Sequence, residues 1–278
     1  MCRTKSLFVL YKHAWISSQA PHLTQKISGD RCSEILKRGG FLLRNTHDFD
    51  CKEKTSFWFV IKDSFRGFEE LSSKVRNQVR KSLKTYDIRR VGLKDLESVG
   101  YGIFAVAQES YRIKCPVLSK EQYRAIIQSY SEDKFKEFWC VYRKDTGEAV
   151  ALSINTVKNN CCEYNTLKAL PSALHDSTYP YYGLIFEMNR HYLEERGLMY
   201  VNDGARSLTE HSNIQNFLES KFNLRKAYCR LPVVYQWWFG IIVRCLYPFR
   251  NFMPILSVKS ILRLEEYKRS DMWSIVHK

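Results

Sequence analysis

Between Gly183 and Arg230 the chain changes its local chemistry four times, and that order constrains the fold more than any other stretch. After Gly183, Leu184, Ile185, Met188 and Tyr192 recur at helical spacing, and Gly197 stands where a helix caps in the left-handed conformation. Leu198 to Val201 reads as a short apolar strand, and Asn202-Asp203-Gly204 carries the residue types of a turn. Ile214, Phe217, Leu218 and Lys221/Phe222 predict a second helix, and Tyr228 opens another extended stretch. Helix, strand, loop, helix, strand points to an α/β or α+β domain built on a mixed sheet.

The upstream half supplies the antiparallel part. The segment after Gly39-Gly40 and the run Phe57 to Lys62 read as strands. Ser72 to Thr85 is a helix with Leu71, Val75, Val79 and Leu83 on one ridge and Arg76, Arg80 and Lys84 on the next. Tyr86 to Val91 is a strand; Leu93 to Ser110 and Ser119 to Tyr130 are helices, broken at Cys115-Pro116. A meander follows: Phe138 to Arg143 meets Ala149 to Val157 across Asp145-Thr146-Gly147, and a second turn at Lys158-Asn159-Asn160 leads into CCEYNTLKAL. The expected organisation is an extension over 1–38, one domain over 39–231, open to division into half-domains 39–135 and 136–231, and an aromatic, basic segment over 232–278.

Composition narrows the partners. With 45% hydrophobic residues in 278, the chain is globular rather than disordered. A net charge of +15 calls for either an anionic partner or simply a solvated basic surface. The nine cysteines form no C-x-x-C pair, so a reduced, cytoplasmic chain without a metal site is expected. No apolar run reaches the roughly 20 residues of a spanning helix. The nearest, Pro232 to Phe249, is interrupted by Gln236 and Arg244. Its Trp237 and Trp238, with Arg244, Arg250 and Lys259, fit in-plane contact with an anionic membrane surface through residues 233–250, at the inner face. A C-terminal helix that buries those tryptophans is the alternative.

The meander, the helix at Gly183, the strand ending in Asp203-Gly204 and the segment Phe217-Leu218-Glu219-Ser220-Lys221-Phe222-Asn223 together resemble the GNAT-like acyltransferases. Within them the resemblance is nearest the FemAB branch and related bacterial acetyltransferases, whose basic helix is echoed by LSSKVRNQVRKSLK. Three departures stand out. Tyr179-Pro180-Tyr181-Tyr182-Gly183 has one glycine where the superfamily has a glycine-rich pyrophosphate loop. Asn223 and Leu224 replace a glycine pair, and Glu219 falls near the position of a tyrosine general acid.

The resemblance implies a mostly antiparallel sheet flanked by helices, with two parallel strands splayed around the donor: the one leading into Leu167-Lys168-Ala169 and Leu198 to Asn202. It further implies Asp203 as first candidate for the base that deprotonates an amine, Glu163 as second, and Tyr228 as proton donor to the leaving group. Tyr182 and Gly183 at the helix start, Leu167, Asn213 and Lys221 would hold the donor, acyl-CoA or an acyl carrier protein thioester. Arg206, Arg76 and Arg80 would meet acidic groups. Each has a structural alternative: a turn residue for Asp203, strand packing for Tyr228, surface charge for the arginines.

The function so implied is N-acyl transfer to an amine, such as an amino sugar or a lipid-linked cell-envelope precursor, by direct attack without a covalent enzyme intermediate. Two alternatives stay open: a FemAB-type transferase using aminoacyl-tRNA, favoured by the basic helix, and a non-catalytic module binding nucleic acid or membrane.

Overall fold

The computed structural model describes residues 7–110, 116–208 and 213–276, and it divides into two compact units. The first comprises Met1–Phe59, Ala205–Glu210 and Lys226–Lys278; the second comprises Val60–Gly204 and His211–Arg225. The chain passes between them within β4 (Phe57–Lys62), at the end of β9 (Tyr200–Ala205) and at the start of β10 (Arg225–Cys229).

In the first unit, β1 (Phe8–Tyr11) and β2 (Ala14–Ser17) form a hairpin, followed by α1 (Gly29–Lys37) and β3 (Leu42–Arg44). Near the C-terminus come β11 (Val233–Tyr235), α8 (Trp237–Leu246) and α9 (Leu256–Val276). The sheet order is β1-β2-β3-β11, antiparallel except between β2 and β3. Leu42, Phe57, Cys229 and Leu231 pack against Leu264 and Tyr267 of α9, while Ile35 and Leu36 of α1 close over Phe8 and Leu43. Residues 1–38, unplaced by periodicity, thus contribute a hairpin and a helix.

The second unit carries α2 (Ser73–Thr85), β5 (Tyr86–Val91), α3 (Leu93–Glu109), α4 (Lys120–Gln128), β6 (Lys136–Arg143), β7 (Ala149–Lys158), β8 (Cys161–Ala169), α5 (Pro171–His175), α6 (Pro180–Asn189) and α7 (Ile214–Phe222). Its strands run in the order β9-β8-β7-β6-β5; all pairs are antiparallel except β8 with β9. Both sheets are therefore mixed and mostly antiparallel, as the sequence predicts. Alternation along the strands divides the packing. Phe138, Cys140, Leu152 and Ile154 meet Leu96 and Ile103 of α3 and Tyr123 and Ile127 of α4, whereas Trp139 and Asn155 meet α6 and the turn after it.

The local signals are clear. Ser72 caps α2 through the Val75 N–H. Ser119 and Gln122 cap each other at the start of α4. Gly147, Asn159 and Asn160 take the positive φ that the two meander turns require. Two expectations change. Helix α6 starts at Pro180, not after Gly183, because Pro at N1 has no N–H to lose. Asn202-Asp203-Gly204 is not a turn but the body of β9; the Asn202 side chain bonds its own backbone at Gly204 N–H without ending the strand.

Candidate functional site

β8 and β9 pair side by side at Cys161–Tyr200, Cys162–Val201 and Glu163–Asn202, and there the pairing ends. Beyond it β8 turns with β7, and it does so through a bulge. Ile154 faces Thr166 and Asn155 faces Tyr164, so Asn165 is an extra residue. The bulge is pinned from the side: Lys136 donates to Thr156 Oγ1 at 2.7 Å and to Asn165 Oδ1 at 3.2 Å, and the Thr156 hydroxyl also donates to Asn165.

A cleft of about 640 Å³ lies past the end of the pairing. One wall is β8 from Tyr164 to Lys168, and Asp203 stands on the β9 side. Tyr181 of α6 and Asn213, Ile214 and Phe217 at the start of α7 supply another wall, and Phe104 and Leu174 complete the lining. The structure therefore gathers Asp203, Leu167 and Asn213 around one space.

Asp203 is the electrostatically distinctive group. Burial pushes its carboxyl up from 3.8 to about 7, the Gln215 side chain pulls it back by a hydrogen bond, and the Glu163 charge raises it further. Glu163 is itself raised, chiefly by the protein packed around it, with Lys136 and Asn165 opposing, although its side chain reaches solvent. Gly204, next to Asp203, takes φ +81°, a backbone conformation that favours glycine, and a Cβ there would only touch Glu163 Oε1 at 4.0 Å. Two carboxyls on adjacent strands, one titrating near neutrality, can accept a proton from an incoming amine or hold a cation.

Beneath the cleft lies a buried polar network. Tyr164 donates to Asn189 Oδ1 at 2.9 Å. Tyr192, with no exposed surface, accepts from Trp139 Nε1 at 2.9 Å and Asn155 Nδ2 at 3.2 Å and donates to Glu137 Oε2 at 3.2 Å. Tyr192 reaches that centre because α6 runs on into a π turn over Arg190–Glu195, closed by the Arg196 N–H on His191 O. Spacing placed Tyr192 on the apolar face of a helix but marked neither it nor its partners as a polar network. The available signal was Ser153 and Asn155 in the otherwise apolar strand AVALSINTV.

The remaining candidates fall elsewhere. Gly183 lies where α6 crosses α2, and its N–H is taken by Ser82 Oγ at 3.2 Å. Tyr182 turns its ring into Phe217 and Phe222. Lys221 is in the last turn of α7. On α2, Arg76 donates to Leu71 O, and Arg80 lies over the Phe68 ring and is exposed. Arg206 and Tyr228 belong to the first unit. The Arg206 guanidinium is held between Trp58 and Tyr267, 4.1 and 3.8 Å from their ring centres, and Tyr228 packs edge-on against Trp58.

No protein-family profile matches the sequence, and no curated protein matches it. Solved structures do match in shape. FemX superposes with a TM-score of 0.52 at 10% identity, over 71% of this chain and 73% of its own. The C-terminal domain of a putative lysylphosphatidylglycerol synthetase from Agrobacterium fabrum superposes with 0.53 at 11% identity, over 86% of this chain and 82% of its own. The chain shares its fold with these two structures. Identity of 10–11% establishes architecture alone. β8 and β9 are the parallel pair that the family resemblance implied; their pairing ends at Glu163–Asn202, and Asp203 sits on the β9 side of the cleft beyond it.

Proposed function

We propose that the protein transfers an acyl group from a thioester donor to an amine, with the donor's acyl arm lying in the β8–β9 cleft. The observation that carries this reading is the end of strand pairing at Glu163–Asn202, with a cleft opening beyond it beside a carboxyl that titrates at about 7. The amine nitrogen attacks the thioester carbonyl while the Asp203 carboxylate takes its proton. The C–S bond then breaks and the thiolate leaves, with the proton free to pass to it. An N–H that β8 turns toward the gap would stabilise the oxyanion, an effect often worth about 3 kcal/mol. Leu167 and Asn213 line the donor's path, and Glu163 holds the acceptor's charge near Asp203.

The donor on this reading is acyl-CoA or an acyl carrier protein, and the acceptor a small or lipid-linked amine such as an amino sugar. A second reading, aminoacyl-tRNA as donor, is favoured by the entrance to α6. Gly183 N–H is spent on Ser82, and tyrosines occupy the first turn, which leaves a poor cradle for a coenzyme A diphosphate. Arg80 on α2 offers an exposed cation to RNA.

Thermal melting with acetyl-CoA, longer acyl-CoAs and free coenzyme A tests the first reading. A ligand at a hundred times its dissociation constant adds about 2.7 kcal/mol. A shift graded by acyl length supports the thioester donor. No shift with any of them, together with salt-sensitive tRNA binding lost in Arg80→Glu, transfers the assignment to the second.

A further inference from the structure

The outward face of α8 is composed the wrong way round for a helix in water. Trp237, Trp238, Ile241, Ile242 and Cys245 recur at i, i+1, i+4, i+5 and i+8, and all are exposed, Trp237 to 76%. Gly240 and Val243 face the unit's interior instead. The 3-10 turn that follows, Tyr247–Phe252, leaves Phe249 57% and Phe252 83% exposed, and Ile255 and Leu256 extend the strip. The β1–β2 hairpin borders it. His13 stacks on Phe41, Phe41 meets Trp238 edge-on at 5.4 Å, and Leu10 and Tyr11 are exposed alongside. Lys12 and His13 turn that hairpin at φ 46° and 65°, strained for residues other than glycine, so the turn is held against a local cost. An apolar strip of this extent marks a contact surface rather than ordinary exposure.

The charge on this strip has one sign. From Trp237 to Leu264 there is no Asp or Glu, while Arg244, Arg250, Lys259 and Arg263 are present. Arg250 is paired with Glu266 at 3.4 Å, so Arg244 and Lys259 are the exposed cations of this stretch. Beside these aromatic and aliphatic side chains they are complementary to a bilayer with an anionic headgroup layer. Pairing with a second copy would set like charges against each other.

The segment does not have to span. No single described helix is long and apolar enough to cross a membrane, although Trp237–Phe252 and Leu256–Asp271, bent by 107°, pass by length and composition together. The ten residues of α8 cover about 15 Å, half of a hydrocarbon core of about 30 Å. The inner side of α9 is committed to the unit: Tyr235 donates to Glu265 at 3.0 Å, and Asp271 accepts from Ser56 N–H at 2.7 Å. We infer that the first unit docks on an anionic membrane surface, with α8 and the Tyr247–Phe252 turn lying in the plane of the interface. This inference stands apart from the transferase reading.

Vesicle flotation of the full chain tests it, with phosphatidylcholine alone and with phosphatidylcholine mixed with phosphatidylglycerol. The protein is expected to float with the mixed vesicles and to be released by salt and by alkaline carbonate. Trp237→Ser with Ile241→Ser should weaken binding more than about tenfold. Arg244→Glu with Lys259→Glu should remove the preference for anionic lipid. All four positions are exposed, so an unchanged melting temperature confirms that each variant is folded. Absence from both floated fractions overturns the inference, as does binding indifferent to both pairs of substitutions. So would a dimer in sedimentation equilibrium that the Trp237/Ile241 variant dissolves, or resistance to carbonate, which would mean insertion.

Discussion

Glu163 faces Asn202 across the last paired position of β8 and β9, and the next residue, Asp203, stands at the mouth of the cleft that opens there. The register of two parallel strands thus places a carboxyl at the edge of a cavity. A slip of one residue would turn that carboxyl to the other face of the sheet.

If Asp203 is the base, Asp203→Asn should lower turnover by about 10²–10⁴-fold, with the melting temperature measured at pH 4 unchanged. The wild-type rate should rise with pH and reach half its plateau at about 7, where the carboxyl ionises. That limb should be missing from the residual rate of the variant. A wild-type profile flat from pH 5 to pH 9 would remove Asp203 from the role.

The same carboxyl makes a stability prediction that needs no substrate. Its value is raised from 3.8 to about 7 by folding, so between those limits the folded state holds a proton that the unfolded state has lost. Stability from this group is therefore complete below about 3.8, falls as pH rises, and is gone above about 7. Asp203→Asn should match the wild type in melting at pH 3.5 and exceed it at pH 8.

Gly183→Ala should destabilise. A Cβ there would stand 2.4 Å from Ser82 Oγ and 2.5 Å from Ile88 Cδ1, so both side chains would have to give way and the Ser82 bond to the Gly183 N–H would be disturbed, at about 1–3 kcal/mol. Gly102→Ala in α3 meets nothing within 4 Å and should instead gain about 0.5–1 kcal/mol. Equal melting temperatures for the two variants would contradict the close approach.

Tyr192→Phe keeps the ring and removes the hydroxyl that Trp139 and Asn155 donate to and that Glu137 accepts from. Asn155 keeps Met188 and Glu137 keeps Arg196, so the main cost is the buried Trp139 N–H that loses its acceptor, about 1–3 kcal/mol. Chemical denaturation should show a lower midpoint with unchanged slope, since the core contacts of the ring persist.

How much of this was legible follows from what periodicity carries. The 4-residue ridges placed α2, and the Asp145-Thr146-Gly147 and Asn159-Asn160 turns placed the meander, because these signals are local. The parallel pair was legible through element order and family resemblance rather than through any residue. The Asn165 bulge was not legible, since one extra residue in CCEYNTLKAL leaves no mark on composition. Gly183 drew attention as a phosphate-loop remnant, whereas its absent side chain admits Ser82, a residue about a hundred positions away in sequence. Asn202-Asp203-Gly204 has turn chemistry, but pairing with β8 and its own Asx contact overrode it. The hairpin and helix of the first 38 residues carry too short a repeat to register.

From Lys226 to Leu264 the sequence has neither a carboxylate nor an imidazole. The cations carried by α8 and the segment after it therefore keep their charge between mildly acidic and mildly alkaline conditions. Along that stretch mild acidification neither adds nor removes charge. Its hold on an anionic surface answers instead to ionic strength.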